Sequence, residues 1–222
     1  MTMDLALPSE LDSVYGDIER YYTEKVLRHG PTAAGVDWSC SLTQALRFVQ
    51  LLKLCDFSKP FSVNDIGCGY GALLSFLDRR HRRTRIDYWG VDLSPQMIEE
   101  AQRQKKNVCG KFSVARAGVR RADYSIASGI FHVKLKQTAD AWTQFICNTL
   151  ADMHASSTRG FAVNFLAPLP DGTAAKSELY RAPHHLWRAY CEQTFDARVT
   201  VIENYGMREY TLLVRYPSAL VE

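Results

Sequence analysis

Apolar and polar positions along the chain switch between two periods, and each switch marks a change of element. Phe61, Val63 and Ile66 form a short strand-like run, which Gly67, Gly69 and Gly71 interrupt; Leu73, Leu74 and Leu77 then resume at helical spacing. A second unit repeats the plan: Trp89 and Val91 lead a strand into Asp92, and Ser94, Pro95 and Gln96 open a helix over 95–106. Short strands are predicted at 112–115 and 123–128, a helix at 139–153, and an apolar strand at 160–168 whose one polar insertion is Asn164. A helix HHLWRAYCEQTF comes next, then RVTVIENY and REYTLLVRY, whose alternation about a turn at 204–206 predicts an antiparallel hairpin. Ahead of the glycines, residues 8–29 carry a helical stripe (Leu11, Val14, Ile18, Tyr21, Tyr22, Val26) that Gly30 and Pro31 end, and 41–55 form an amphipathic helix. Strands alternating with helices predict an α/β chain on a mostly parallel sheet.

Three glycines within five residues let the backbone approach a ligand closely, with a helix N-terminus just beyond. A dinucleotide-binding turn reads G-x-G-x-x-G and seats a pyrophosphate. Here the order is D-x-G-x-G-x-G, and Asp65 would repel a phosphate but accept a hydrogen bond from an ammonium group. Asp92, twenty-one residues after Gly71, ends the second strand where an acid can accept from both ribose hydroxyls. Met97, on the helix that follows, is positioned to cover an adenine.

Taken together, Asp65-x-Gly67-x-Gly69-x-Gly71 and the strand-ending Asp92 resemble the class I S-adenosylmethionine (SAM) methyltransferases, over roughly residues 40–216. The resemblance implies a Rossmann-like seven-stranded sheet, mostly parallel with a C-terminal antiparallel hairpin and helices on both faces. It divides the chain into residues 1–40, an N-terminal helix with a lid or substrate loop, and 41–222, the methyltransferase core. The implied donor is SAM, with S-adenosylhomocysteine (SAH) as product. Asp65, Gly67, Cys68, Gly69, Gly71, Asp92, Leu93, Met97 and Ser128 are the expected donor contacts, with Arg47 as the candidate for the donor carboxylate.

Strand four of this family presents catalytic groups to the methyl, and here it runs into SGIFHVKL. The N/D-P-P-Y/F signature of amide and adenine nitrogen methylation is absent, as is a Pro-Cys nucleophile. His132 is within reach as a base for a hydroxyl proton. The turn-rich loop from His29 to Trp38 adds His29 and Asp37 as catalytic candidates, with Tyr15, Tyr21, Tyr22 and Trp38 lining an acceptor pocket. The loop after the 160–168 strand carries Lys176, Tyr180 and Arg181, which suit an anionic or sugar-like acceptor. O-methylation of a small natural-product or glycan-type metabolite is therefore the expected reaction. Two alternatives remain: an RNA or protein methyltransferase docking through Arg79 to Arg85, and a non-catalytic SAM-binding subunit.

Composition narrows this picture slightly. The 222 residues are 46% apolar, enough for one buried core. A net charge of +3 is too small to demand a nucleic-acid partner, and the RRHRRTR run has no interleaved aromatics. Six dispersed cysteines (40, 55, 68, 109, 147, 191) show no ligand spacing, so reduced thiols and no metal are expected. No long apolar stretch and no targeting pattern at the N-terminus predict a soluble, cytoplasmic protein with a small-molecule acceptor and no membrane partner. A homodimer is left open.

Overall fold

The computed structural model describes residues 8–38, 40–104 and 110–217. Within them the chain forms α1 (Pro8–His29), a 3-10 turn (Ala34–Val36), α2 (Ser41–Leu51), a second 3-10 turn (Leu52–Leu54), β1 (Phe61–Ile66), α3 (Ala72–Arg80), β2 (Ile86–Asp92) and α4 (Pro95–Gln104). It continues through β3 (Gly110–Val114), β4 (Ala122–Ala127), α5 (Ala139–Ala155), β5 (Ser157–Leu166), α6 (His184–Phe195), β6 (Arg198–Ile202) and β7 (Glu209–Arg215).

Seven strands make one sheet in the order β3-β2-β1-β4-β5-β7-β6. β1 to β5 run parallel, and β7 enters antiparallel between β5 and β6. The expected seven-stranded α/β fold with its closing hairpin is the one observed. Order reverses beside β1, whose neighbours are β2 on one side and β4 on the other. Crevices at such a switch point open at the carboxyl ends of the strands. Register sets what stands there: Asp65 pairs with Gly90 and Ile66 with both Val91 and Ala127, so Asp65, Asp92 and Ser128 all arrive at the same edge.

The central strands are buried on both faces, as a parallel sheet covered by helices requires. One layer joins Val14, Tyr15 and Ile18 of α1 to Trp142, Phe145 and Ile146 of α5 and Trp187 of α6. The other joins Phe48 and Leu51 of α2 to Leu73, Phe76 and Leu77 of α3 over Tyr88 and Ile126.

Boundaries moved where packing overrode periodicity. The helix expected over 41–55 tightens into a 3-10 turn at Leu52, which lets Leu51, Leu52 and Leu54 all face the sheet, each at most 4% exposed. The strand expected at 160–168 begins at Ser157, which pairs with Ala122, and ends before Pro168. The helix expected to reach 106 is described to Gln104; residues 105–109, Cys109 among them, lie outside the described residues. The hairpin turn spans 203–208, with positive φ at Asn204 (59°) and Gly206 (83°). No helix among the described residues is long and apolar enough to cross a membrane.

Gly160 is the tightest point of the β5–β7 pairing. Its φ is 149°, and a Cβ there would stand 2.0 Å from the Val214 carbonyl oxygen, which backbone pairing prevents from moving aside. Gly160→Ala is expected to cost at least about 2 kcal/mol in a denaturant melt, at the upper end of overpacking effects. An unchanged midpoint would mean the two strands are not paired in this register.

Candidate active site

A cleft of about 950 Å³, counted to its open mouth, lies at the carboxyl ends of β1, β2 and β4. The glycine turn forms its floor. Gly67, Gly69 and Gly71 all have positive φ (69°, 53° and 81°), which is why local sequence demands glycine here. Their surroundings divide their tasks. A Cβ on Gly71 would press on Phe112 and Ala101, so that glycine serves the packing of α3 onto β3 and α4. Gly67 and Gly69 face the cleft, under Ile130 and Val36.

Two carboxylates sit on this floor. Asp92 accepts the Gly69 amide proton at 2.9 Å on one oxygen and the Ser94 amide proton at 2.9 Å on the other. Each oxygen keeps a further lone pair for a ligand hydroxyl. Burial raises the Asp92 carboxyl above its usual range, while those backbone donors pull it back. Asp65, 2% exposed, accepts from the Tyr88 hydroxyl at 2.5 Å. Burial pushes its carboxyl up to about 7, with the Asp92 charge adding to the rise and the Tyr88 bond opposing it. Paired carboxylates that, among the described residues, have no cation bonded to them make a site that favours a cationic ligand.

Leu93, Met97, Ala115 and Arg116 form one end of the cleft, and Trp38, Ser128, Gly129 and Ile130 the other wall. The roof is α1 with its following turn: Tyr15, Ile18, Glu19, Tyr22 and Val36 line the cleft. Three polar links strap α1 there, Thr23 to Ser94 at 2.7 Å, Gln137 to Asp17 at 2.8 Å, and Arg116 to Asp12 at 2.5 Å. Sequence reading anticipated Tyr15 but not Ile18, Glu19, Gln44, Phe48, Tyr70, Phe145 or Thr149 in the lining. Ile18, Phe48 and Phe145 carry only the apolar periodicity that also makes a core, so nothing in one sequence separates the two.

Several expected site residues stand elsewhere. Arg47 does not line the cleft; it is buried behind it, its guanidinium donating two hydrogen bonds to Glu209 of β7, one of them 2.8 Å, and stacked 3.7 Å from the Trp38 ring centroid. Asn164, the polar insertion in β5, donates to Glu209 at 3.1 Å and accepts the Gly129 amide proton at 2.7 Å. His132 is 4% exposed, edge-on to Trp38 at 5.4 Å, and also outside the lining. Burial lowers its imidazole to about 4, with Arg47 lowering and Glu209 raising it. Asp37 accepts from Tyr21 at 2.8 Å and Lys25 at 2.6 Å, which fastens the turn to α1, and exposed His29 stays outside the lining with it. Tyr22 and Trp38 line the cleft and Tyr21 does not. Lys176 is exposed, Tyr180 accepts from Trp187 at 3.1 Å, and Arg181 donates to the Ala167 carbonyl at 2.8 Å, all three outside the lining. Among the described residues no group of three or more His, Cys, Asp or Glu is placed to hold a metal ion.

Sheet order, the turn after β1 and the acid ending β2 define a nucleoside-binding α/β enzyme fold. Comparison with known proteins makes the class specific. The family pattern described as "Methyltransferase domain" matches residues 64–152. A methyltransferase-named protein of Mycobacterium tuberculosis, Rv1506c, is 38% identical over 168 residues, which span 75% of this chain and 100% of that protein. The chain belongs to the SAM-dependent methyltransferases of the class I fold. Its fold is shared by magnesium protoporphyrin IX methyltransferase of Synechocystis PCC 6803, solved with bound SAH (TM-score 0.61, 14% identity, 92% of this chain and 99% of that one). It is shared too by 1,6-didemethyltoxoflavin-N1-methyltransferase of Burkholderia thailandensis, also with SAH (TM-score 0.58, 21% identity, 97% of this chain and 92% of that one).

The Arg47–Glu209 pair, with side chains 8% and 4% exposed, has a clear energetic signature. Removing one partner strands a buried charge, so Arg47→Met or Glu209→Gln alone is expected to cost about 3–5 kcal/mol, and the double variant much less than the sum. Denaturant melts of the four proteins form the cycle that checks it; additive losses would mean that the two side chains act independently.

Proposed function

We propose that this protein transfers a methyl group from SAM to an oxygen of a small, anionic acceptor, with carboxylate O-methylation as the leading case. The observation that carries the reading is the pair Asp65 and Asp92 on the glycine floor, beneath a largely apolar roof. Asp92 would take the ribose hydroxyls, Asp65 the ammonium, Met97 and Leu93 the adenine faces, and Ser128 to Ile130 the methyl end. In this reading residues 1–40 act as a cover over the 41–222 core. Transfer forms an acceptor oxygen–methyl bond and breaks the methyl–sulfur bond, whose electrons neutralise the sulfonium. Alignment of the three atoms can supply about 7–11 kcal/mol of the barrier.

The placement of the three base candidates favours an acceptor already ionised. Asp37 and His29 stand off the cleft, and His132 lies behind Trp38 with its proton affinity reduced by burial. A carboxylate has no proton to lose on becoming an ester, so none of the three is required. The polyanion alternative is weakened by place. The cluster at 79–85 begins in the last turn of α3, which starts at the cleft floor and runs away from it, and it leads into the start of β2, so that this basic surface lies toward the amino ends of the strands, opposite the cleft.

Calorimetric titration with SAM, SAH and NAD tests the donor site. Asp92→Asn is expected to weaken SAH by on the order of 100-fold or more, since it removes the charge that both ribose hydroxyls meet. Failure of the unaltered protein to bind either SAM ligand would overturn the reading. Ionised Asp65 is the form that attracts an ammonium, so donor affinity should rise from pH 5 and level off above about 7. Free-protein stability carries the opposite sign. The Asp65 contribution is fully present below the unfolded carboxylate range near ~4 and is lost as pH rises through about 7. Asp65→Asn should flatten both slopes; the same slopes in the variant would exclude Asp65 as their source.

A further inference from the structure

Trp38 is held as a fixed wall of the cleft. Arg47 covers one face of its indole at 3.7 Å, and His132 meets it edge-on at 90°. Gly129 lies so close that a Cβ there would stand 2.2 Å from Cη2 and Cζ2. These supports are themselves fastened: Glu209 holds Arg47, Asn164 bonds to Glu209, and Asn164 also holds the Gly129 amide. Residues from α2 and the turn after β4 thus meet one ring and are themselves held by β5 and β7, and that ring lines the cleft beside Ser128 and Ile130. An indole supported on one face and its edges leaves the other face as its contribution to the cleft. Such a face binds a flat partner at small entropic cost, because the ring is already immobile.

Charge selects which flat partner. A guanidinium against the back of an indole draws on the ring's negative face, so the front face favours an electron-rich or anionic ring over a second cation. Ser128 Oγ, buried and without a partner among the described residues, lines the same end and can donate to an acid oxygen. We propose that Trp38 is the stacking platform of the acceptor subsite, and that the acceptor is a planar, conjugated carboxylic acid. This rests on the methyltransferase reading above and names the substrate class that its site takes.

The test uses the full chain saturated with SAH and matched probes: benzoate and 2-naphthoate against cyclohexanecarboxylate, with benzylamine as the cationic ring. Trp38→Leu keeps an apolar side chain without a ring, and Trp38→Phe restores a ring. The unaltered protein should bind the aromatic acids about 10-fold or more tighter than the saturated acid and the amine, as one stacked ring pair allows. Trp38→Leu should erase that preference and Trp38→Phe regain most of it, with melts confirming that each variant is folded. Equal binding of the probes, binding of none of them, or a preference that survives in Trp38→Leu overturns the proposal. SAH affinity, read in the same titrations, separates the two readings. SAH bound without ring preference sinks the platform alone, and no SAH bound by the unaltered protein sinks the donor site and the platform with it.

Discussion

The hydrogen bond from the Gly69 amide to Asp92 fastens the end of β2 to the turn after β1, and the cleft is organised about it. It brings an acid 23 residues away onto the glycine floor, and the second oxygen of the same carboxylate starts α4 through Ser94. A backbone that reaches this geometry needs three left-handed residues in a row of five, which only glycines adopt without strain. Asp65 is then buried beside Asp92 with a phenol as its partner and no cation among the described residues bonded to it, an arrangement that a cationic ligand relieves.

A second constraint, the buried Arg47–Glu209 pair, shapes the opposite wall. Burying two charges is costly unless their remaining hydrogen-bonding groups are used. Glu209 uses its spare acceptor for position, taking Asn164, which holds the amide at Gly129; Arg47 backs the indole of Trp38, with its Nη1 buried and without a hydrogen-bond partner among the described residues. Strand β7 enters between β5 and β6 and so delivers Glu209 beside Asn164, with Thr211 paired to Asn164 and Glu209 to Leu166. The antiparallel insertion therefore supplies an anchor for the Trp38 wall of the cleft as well as a partner for the edge strand β6.

Local chemistry made one half of the site legible and left the other half dark. Positions that need a particular φ, or that end a strand with an acid, betray themselves by residue type; Asp65, the three glycines and Asp92 were readable for that reason. Arg47 is a donor-ligand candidate by resemblance alone, because relatives of this family hold the donor carboxylate with a basic residue upstream of the glycine turn. Nothing local to Arg47 announces a carboxylate 162 residues away. Asp37 and the loop of Lys176, Tyr180 and Arg181 carry chemistry-bearing side chains, yet their contacts go to Lys25 and Tyr21, to Trp187 and to a main-chain carbonyl. Asn164 stood out as a polar residue in an apolar strand, but its purpose needed Glu209.

By itself, then, the sequence determined the order of strands and helices, the parallel core with its closing hairpin, the glycine turn and the two acids of the floor. These follow from periodicity, backbone conformation and residue type over spans of a few residues. Only the tertiary structure decided that α1 roofs the cleft, that Trp38 is a wall braced by Arg47, and that His132 is set behind it. Those outcomes depend on which distant side chains share one buried volume. There the cost of leaving a charge or a ring unpaired, rather than any local preference, chooses the partner.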